Sequence, residues 1–121
     1  MVNKQNIIFV ILFSGSNGYV NSAKAFLFSI KNKDGLVPFK SPLYQNNQYG
    51  IYCGNNYGPT FGGGHDLHIS NDGNSNTGSY TNLGHTYQPP SGYTYNAENT
   101  KVLLAGFYQF TPTEVEVFNL Q

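Results

Sequence analysis

A mostly β, antiparallel sandwich is the fold class this sequence predicts, and three observations predict it. Charged residues make up only 10% of the chain, against about a quarter in an ordinary globular domain, so the Lys and Glu that cover exposed helix faces are scarce. Tyr and Phe are abundant, 10 and 9 of 121 residues, and both favour strands. The apolar runs are short and are separated by Gly, Pro and Asn turns. A chain of 121 residues makes one domain that buries a core with little to spare.

The elements follow in chain order. Ile7 to Phe13 is continuously apolar and reads as a buried strand bounded by the Ser14-Gly15-Ser16 turn. The same run, preceded by Lys4, also has the form of a minimal signal peptide, and it is far too short to span a bilayer. Ser14 to Val20 reads as a turn, and Ala25 to Ile30 as the next strand. Asn32-Lys33-Asp34-Gly35 carries the Asp-Gly turn signal. Pro38 and Pro42 make the following stretch loop or edge strand. Tyr49 to Cys53 reads as a short strand, Gly54 to Gly64 as glycine-rich loop, and Asp66 to Ser70 as another short strand. Asn71 to Tyr80 is a polar loop, and Gln88 to Tyr95, with Pro89-Pro90 and Gly92, is irregular. Val102 to Phe110 reads as a strand with a bulge or close approach at Gly106. Thr113 to Phe118 alternates most clearly, with Val115 and Val117 on one face and Glu114 and Glu116 on the other. No segment has a convincing amphipathic helical pattern.

Composition sets some functions aside. The formal net charge is zero and all six basic residues are lysines without a cluster, so no phosphate-backbone footprint is present and nucleic acid is not an expected partner. The single cysteine, Cys53, makes no internal disulfide, and no Asn is followed by the x-Ser/Thr acceptor pattern. Both point to an intracellular, cytoplasmic protein, or to a secreted one if residues 1–16 act as a signal peptide. No integral membrane span is expected.

The run from Gly58 to Ile69, Gly-Pro-Thr-Phe-Gly-Gly-Gly-His-Asp-Leu-His-Ile, resembles the central motif of the TLDc domain family, G-P-x-F-G-x-G-x-D-L-x-I. The matching motif positions are Gly58, Pro59, Phe61, Gly62, Gly64, Asp66 and Leu67. Ala25 to Ile30 is similar to the family's A-F-L-F-S-L strand, and Gln48 to Tyr52 to the short strand before the glycine motif. Gly84-His85-Thr86-Tyr87 is similar to the segment leading to the Pro-Pro loop. Glu114 to Phe118, with Glu114 and Glu116, is similar to the closing E-V-E-V-[WF]. The resemblance implies a sandwich of two antiparallel sheets with a few short helices. It further implies a link to oxidative-stress resistance, with the vacuolar-type proton-pumping ATPase as a protein partner, and no catalytic residues or cofactor. Full members carry a substantial amino-terminal portion before the Ala25-type strand. The expectation is therefore an incomplete domain: residues 21–121 as its carboxyl-terminal part, and residues 1–20 as a poorly matching segment (strand, signal-like sequence or gene-model artefact).

Other constellations have plainer readings. His65, Asp66, His68 and His85 with Glu114 and Glu116 include nitrogen and oxygen donors, but no H-x-H or H-E-x-x-H spacing is present, so no metal site is expected. Alternation along a strand would put Asp66 and His68 on one face and His65 and Leu67 on the other. Asp66 would accept N–H groups of the glycine loop beside it. Gly62-Gly63-Gly64 lacks the Lys and Ser/Thr of a phosphate loop and is read as backbone needing positive φ or close approach. Asp72-x-Asn74-x-Asn76 mimics the start of a calcium loop but has Thr77 and Leu83 where Gly and Glu are needed, so it reads as an exposed turn. Cys53, in an apolar strand without a basic neighbour, reads as a buried inert thiol. Glu114 and Glu116 read as groups for solvent or a partner rather than as an acid/base pair. The leading expectation is a non-catalytic protein-interaction module. The alternatives are a secreted or surface recognition domain, for which the Tyr- and Asn-rich loops would serve, and a thiol-dependent antioxidant enzyme working through Cys53.

Overall fold

The computed structural model describes residues 7–10, 18–20, 25–44 and 48–112. Among them are β1 (Ile7–Val10), β2 (Gly18–Val20), β3 (Phe26–Lys31), β4 (Phe39–Pro42), β5 (Ile51–Cys53), β6 (Thr60–Phe61), β7 (Leu67–His68), β8 (Ser79–Tyr80), the single-turn helix α1 (Glu98–Lys101) and β9 (Gln109–Phe110). Two sheets result, one of three strands in the order β1-β3-β4 and one of six in the order β2-β5-β6-β7-β8-β9. Every pairing is antiparallel. The mostly β, two-sheet architecture is therefore the predicted one.

β3 shows why a sheet forms here. Ala25, Leu27 and Ser29 face inward and are fully buried, while Phe26, Phe28 and Ile30 between them are half-buried, which is the period-two pattern of a strand. Asn32 closes the following turn: its carbonyl accepts the N–H of Gly35 at 3.3 Å, and its side chain bonds both the N–H and the C=O of Leu36. Gly35 supplies the positive φ of 68°. Pro42 ends β4 at an edge of the three-stranded sheet, where its missing N–H breaks no ladder.

The core lies between the sheets. Ile51, Phe61 and Leu67 are successive partners across β5, β6 and β7, and all are buried. They meet Ala25 and Leu27 of the other sheet, and Leu83, Tyr87, Leu103 and Leu104 complete the cluster. Burial of each of the larger apolar side chains contributes about 1.5–3 kcal/mol.

Four local expectations are corrected. Gly18–Val20, expected as turn, pairs with β5 as β2. The glycine-rich stretch holds β6, because Thr60 and Phe61 find partners on both sides. The polar loop from Asn71 contains a 3-10 turn at Gly73–Ser75 and ends in β8. The strand expected over Val102 to Phe110 is only β9; Val102 to Gly106 winds as turns, with Gly106 N–H bonded to the Val102 carbonyl at 2.9 Å. Leu103 and Leu104 are consecutive and both fully buried, and Gly106 ends the turn at a φ of 93° as a helix-terminating glycine does. The strand expected over Thr113 to Phe118, with Glu114 and Glu116, lies outside the described residues.

Candidate functional site

The glycine motif is a clamp between two loops. Gly58 places its carbonyl to accept the Thr60 hydroxyl at 3.0 Å, and the Pro59 carbonyl accepts the Ile69 N–H at 2.9 Å. Phe61 and Leu67 fill the core on either side of the turn. Within that turn the Gly62 N–H reaches the Gly50 carbonyl at 2.9 Å, and the His65 N–H returns to the Gly62 carbonyl at 3.1 Å. The Gly63 N–H bonds the Thr86 hydroxyl at 2.8 Å. Gly62 has a φ of 91°, and a Cβ there would collide with the Asp66 carboxylate; at Gly64 a Cβ would collide with the His85 ring. The positive φ and the close approach expected of these glycines are thus both present. The N–H groups of Gly62, Gly63 and His65 are all used inside the protein.

Asp66 is the centre of the clamp. Its side chain is fully buried. Its carboxylate accepts the N–H groups of Gly84 at 3.1 Å, Thr86 at 2.9 Å and Tyr87 at 2.9 Å, and its carbonyl accepts the Asn82 N–H at 3.1 Å. The donors were expected in the adjacent glycine loop. They come instead from residues 84–87, because that segment crosses behind the loop and presents three N–H groups to one point. Burial pushes the Asp66 carboxyl above its ordinary range, and the Tyr87, Thr86 and Gly84 N–H groups and the charge of His85 pull against that shift. Tyr87 is also buried, with its hydroxyl on the Gly50 carbonyl at 2.7 Å; burial, helped by the Asp66 charge, raises its phenol.

The other side of the six-stranded sheet carries aromatic rings. Tyr52, Thr60, His68, Tyr80 and Gln109 are successive cross-strand partners. Tyr57 packs edge-on against Tyr52 at 5.0 Å and against His68 at 5.3 Å, and Tyr80 lies 5.0 Å from His68. His65 stacks on His68 at 5.8 Å and 27°, so the expected alternation of these two histidines is overturned. The reason is the left-handed backbone of His65, φ 56°, which turns its ring to the side of His68 while Asp66 and Leu67 enter the interior. Burial lowers both imidazoles below their ordinary value, and the charge of His65 adds to the effect on His68.

A second group of rings surrounds the clamp. Tyr44 donates its N–H to the Thr86 carbonyl at 3.0 Å. Tyr95 packs edge-on against the exposed His85 at 5.3 Å, and Tyr49 lies beside Gly63. Tyr44, Tyr49 and Tyr95 are 42%, 49% and 42% exposed. Two-residue strands carry too little pattern to show a row of partners, so neither ring group was singled out in the sequence; the crowding of Tyr49, Tyr52 and Tyr57 before the glycine motif is the one signal available there.

Cys53, expected as a buried thiol, ends β5 only half-buried against the core. Asn76 organises the Asn71 turn, its amide donating to the Asn71 and Asp72 carbonyls and accepting the Gly78 N–H, in keeping with a turn rather than a calcium loop. Among the described residues no three His, Cys, Asp or Glu side chains gather as metal ligands, and no helix is long and apolar enough to cross a membrane. Glu114 and Glu116 lie outside the described residues.

No curated protein and no solved structure matches the chain. The family model of the TLDc domain matches residues 8–121, over the clamp and both sheets, and the chain therefore belongs to the TLDc domain family.

Proposed function

We infer that this TLDc domain is a protein-interaction module that works by surface contact rather than by catalysis. The observation that supports the reading is the clamp with its rim. The Asp66 hydrogen bonds fix two loops against each other, and half-exposed Tyr44, Tyr49 and Tyr95 stand around them. Tyrosines on a rigid frame offer large contact area at small entropic cost, which is why they concentrate at protein interfaces. The partner consistent with the family resemblance is the vacuolar-type proton-pumping ATPase, with a role in resistance to oxidative stress, inside the cell.

Pull-down with the purified chain from membranes carrying the pump tests the partner. Enrichment of pump subunits, lost in a Tyr44→Ala/Tyr95→Ala variant whose melting temperature is unchanged, is the expected result. A folded chain that enriches no pump subunit sinks the partner assignment. Expression with a reporter tests the compartment, and cleaved product in the medium would reject the intracellular reading.

A further inference from the structure

Two of the chain's three histidines form the stack of His65 on His68, and each has one ring nitrogen tied to the sheet. His65 Nδ1 bonds the Tyr80 hydroxyl at 2.8 Å. His68 Nδ1 bonds the Thr60 hydroxyl, also at 2.8 Å. The Thr60 hydrogen goes to the Gly58 carbonyl at 3.0 Å, so Thr60 accepts from His68 Nδ1–H, and the lone pair of His68 sits on Nε2. His68 is 8% exposed.

The groups facing the pair are Tyr52 from β5, Tyr57 from the β5–β6 loop, Thr60 from β6 and Tyr80 from β8. Beyond Tyr80 stand Tyr108 and the Lys101 ammonium, which lies 5.6 Å from the Tyr108 ring. The Asp66 carboxylate is turned away to residues 84–87. Among the described residues no carboxylate bonds or pairs with the two rings.

We propose that the His65–His68 stack is a proton-operated catch, which holds the glycine loop on the outer face of β6–β8 while both rings are neutral and releases it in mildly acidic solution. A proton on His68 Nε2 creates a donor with no acceptor among the described residues. With both rings protonated, two like charges stand 5.8 Å apart, and their repulsion disfavours the stack. His65 also holds a left-handed backbone, a conformation that persists only while its surroundings enforce it. Releasing the ring therefore relaxes the turn at residues 62–66. Burial lowers both imidazoles, and the charge of His65 adds to the lowering of His68, in keeping with a stack that tolerates the neutral rings better than the charged ones. The catch does not depend on which partner the domain binds.

The test is NMR of the purified full chain between about pH 8 and pH 5, the range in which imidazoles titrate. The His65 and His68 ring signals should titrate below the free-histidine range and in coupled steps. As they charge, protection of the amides at residues 62–68, corrected for intrinsic exchange, should fall by about tenfold or more. In His68→Gln that protection should stay flat with pH, and in His85→Gln the response should remain. If His68→Gln does not fold, His65→Asn serves instead, because Asn tolerates left-handed backbone. Protection that is flat with pH in the unaltered chain overturns the proposal. So do ring signals that titrate at or above the ordinary value, and so does a response abolished by His85→Gln.

Discussion

Replacing Asp66 by alanine takes one acceptor away from three backbone donors. The carboxylate is at 0% exposure, and it holds the Gly84, Thr86 and Tyr87 N–H groups at 3.1, 2.9 and 2.9 Å. A buried donor left without a partner costs about 1–3 kcal/mol, so three give an upper figure of about 6 kcal/mol at mid-range. A water entering the space left by the carboxylate would satisfy one or two of them. Loss of the charge also removes the desolvation that pushes this carboxyl up. The expected net destabilisation is about 3–4 kcal/mol, a large part of the ~5–15 kcal/mol that holds a domain folded. Asp66→Asn keeps one oxygen but turns an NH2 towards the donors, so it should lose about 2 kcal/mol. Denaturant unfolding measures both, and the midpoint should fall with the slope unchanged. A loss under about 1 kcal/mol for Asp66→Ala, at constant slope, would mean that the loops are held by core packing and not by this carboxylate.

Four further outcomes are expected. Gly62→Ala should cost about 2–4 kcal/mol in the same assay, because it combines a strained φ with a collision at Asp66. Tyr87→Phe should cost only about 1 kcal/mol, because the Gly50 carbonyl it releases still accepts the Gly62 N–H. Ser41→Ala should be neutral or stabilising by up to about 1 kcal/mol, since the buried Ser41 hydroxyl has no hydrogen-bond partner among the described residues. The pH dependence of the melting temperature should have two opposing windows. His65 and His68, held below their ordinary value of 6.5, contribute stability that is full above that value and lost as the pH falls below it, while their folded-state protonation lags. Asp66, held above its ordinary 3.8, contributes stability that is full below 3.8 and lost as the pH rises through its folded-state value. A melting temperature flat between about pH 7 and pH 5.5 would refute the histidine contribution.

Much of the fold was legible along the chain. The strand at Phe26–Lys31 follows from its short apolar run, the turn at Asn32–Gly35 from Asp-Gly, and the loop-or-edge character of β4 from Pro38 and Pro42. Each depends on interactions within a few residues. The glycine motif was also legible as backbone under constraint, and the family as an ordered set of segments. The two-residue strands β6 and β8 were not, because a pair of residues has no period to read.

What the sequence by itself determined is the material: few charges, many rings, glycines where the chain must turn or be approached closely, and hence a two-sheet β domain. Only the tertiary structure decided who meets whom. The donors of Asp66 lie 18 to 21 residues further along, and cross-strand register, not spacing, brings Tyr52, Thr60, His68 and Tyr80 into one row. His65 joins that row because it adopts a left-handed φ, a conformation uncommon for any residue but glycine. Local propensity sets the elements. A buried charge needs several donors at one point, and only distant segments brought together by the packed core can supply them.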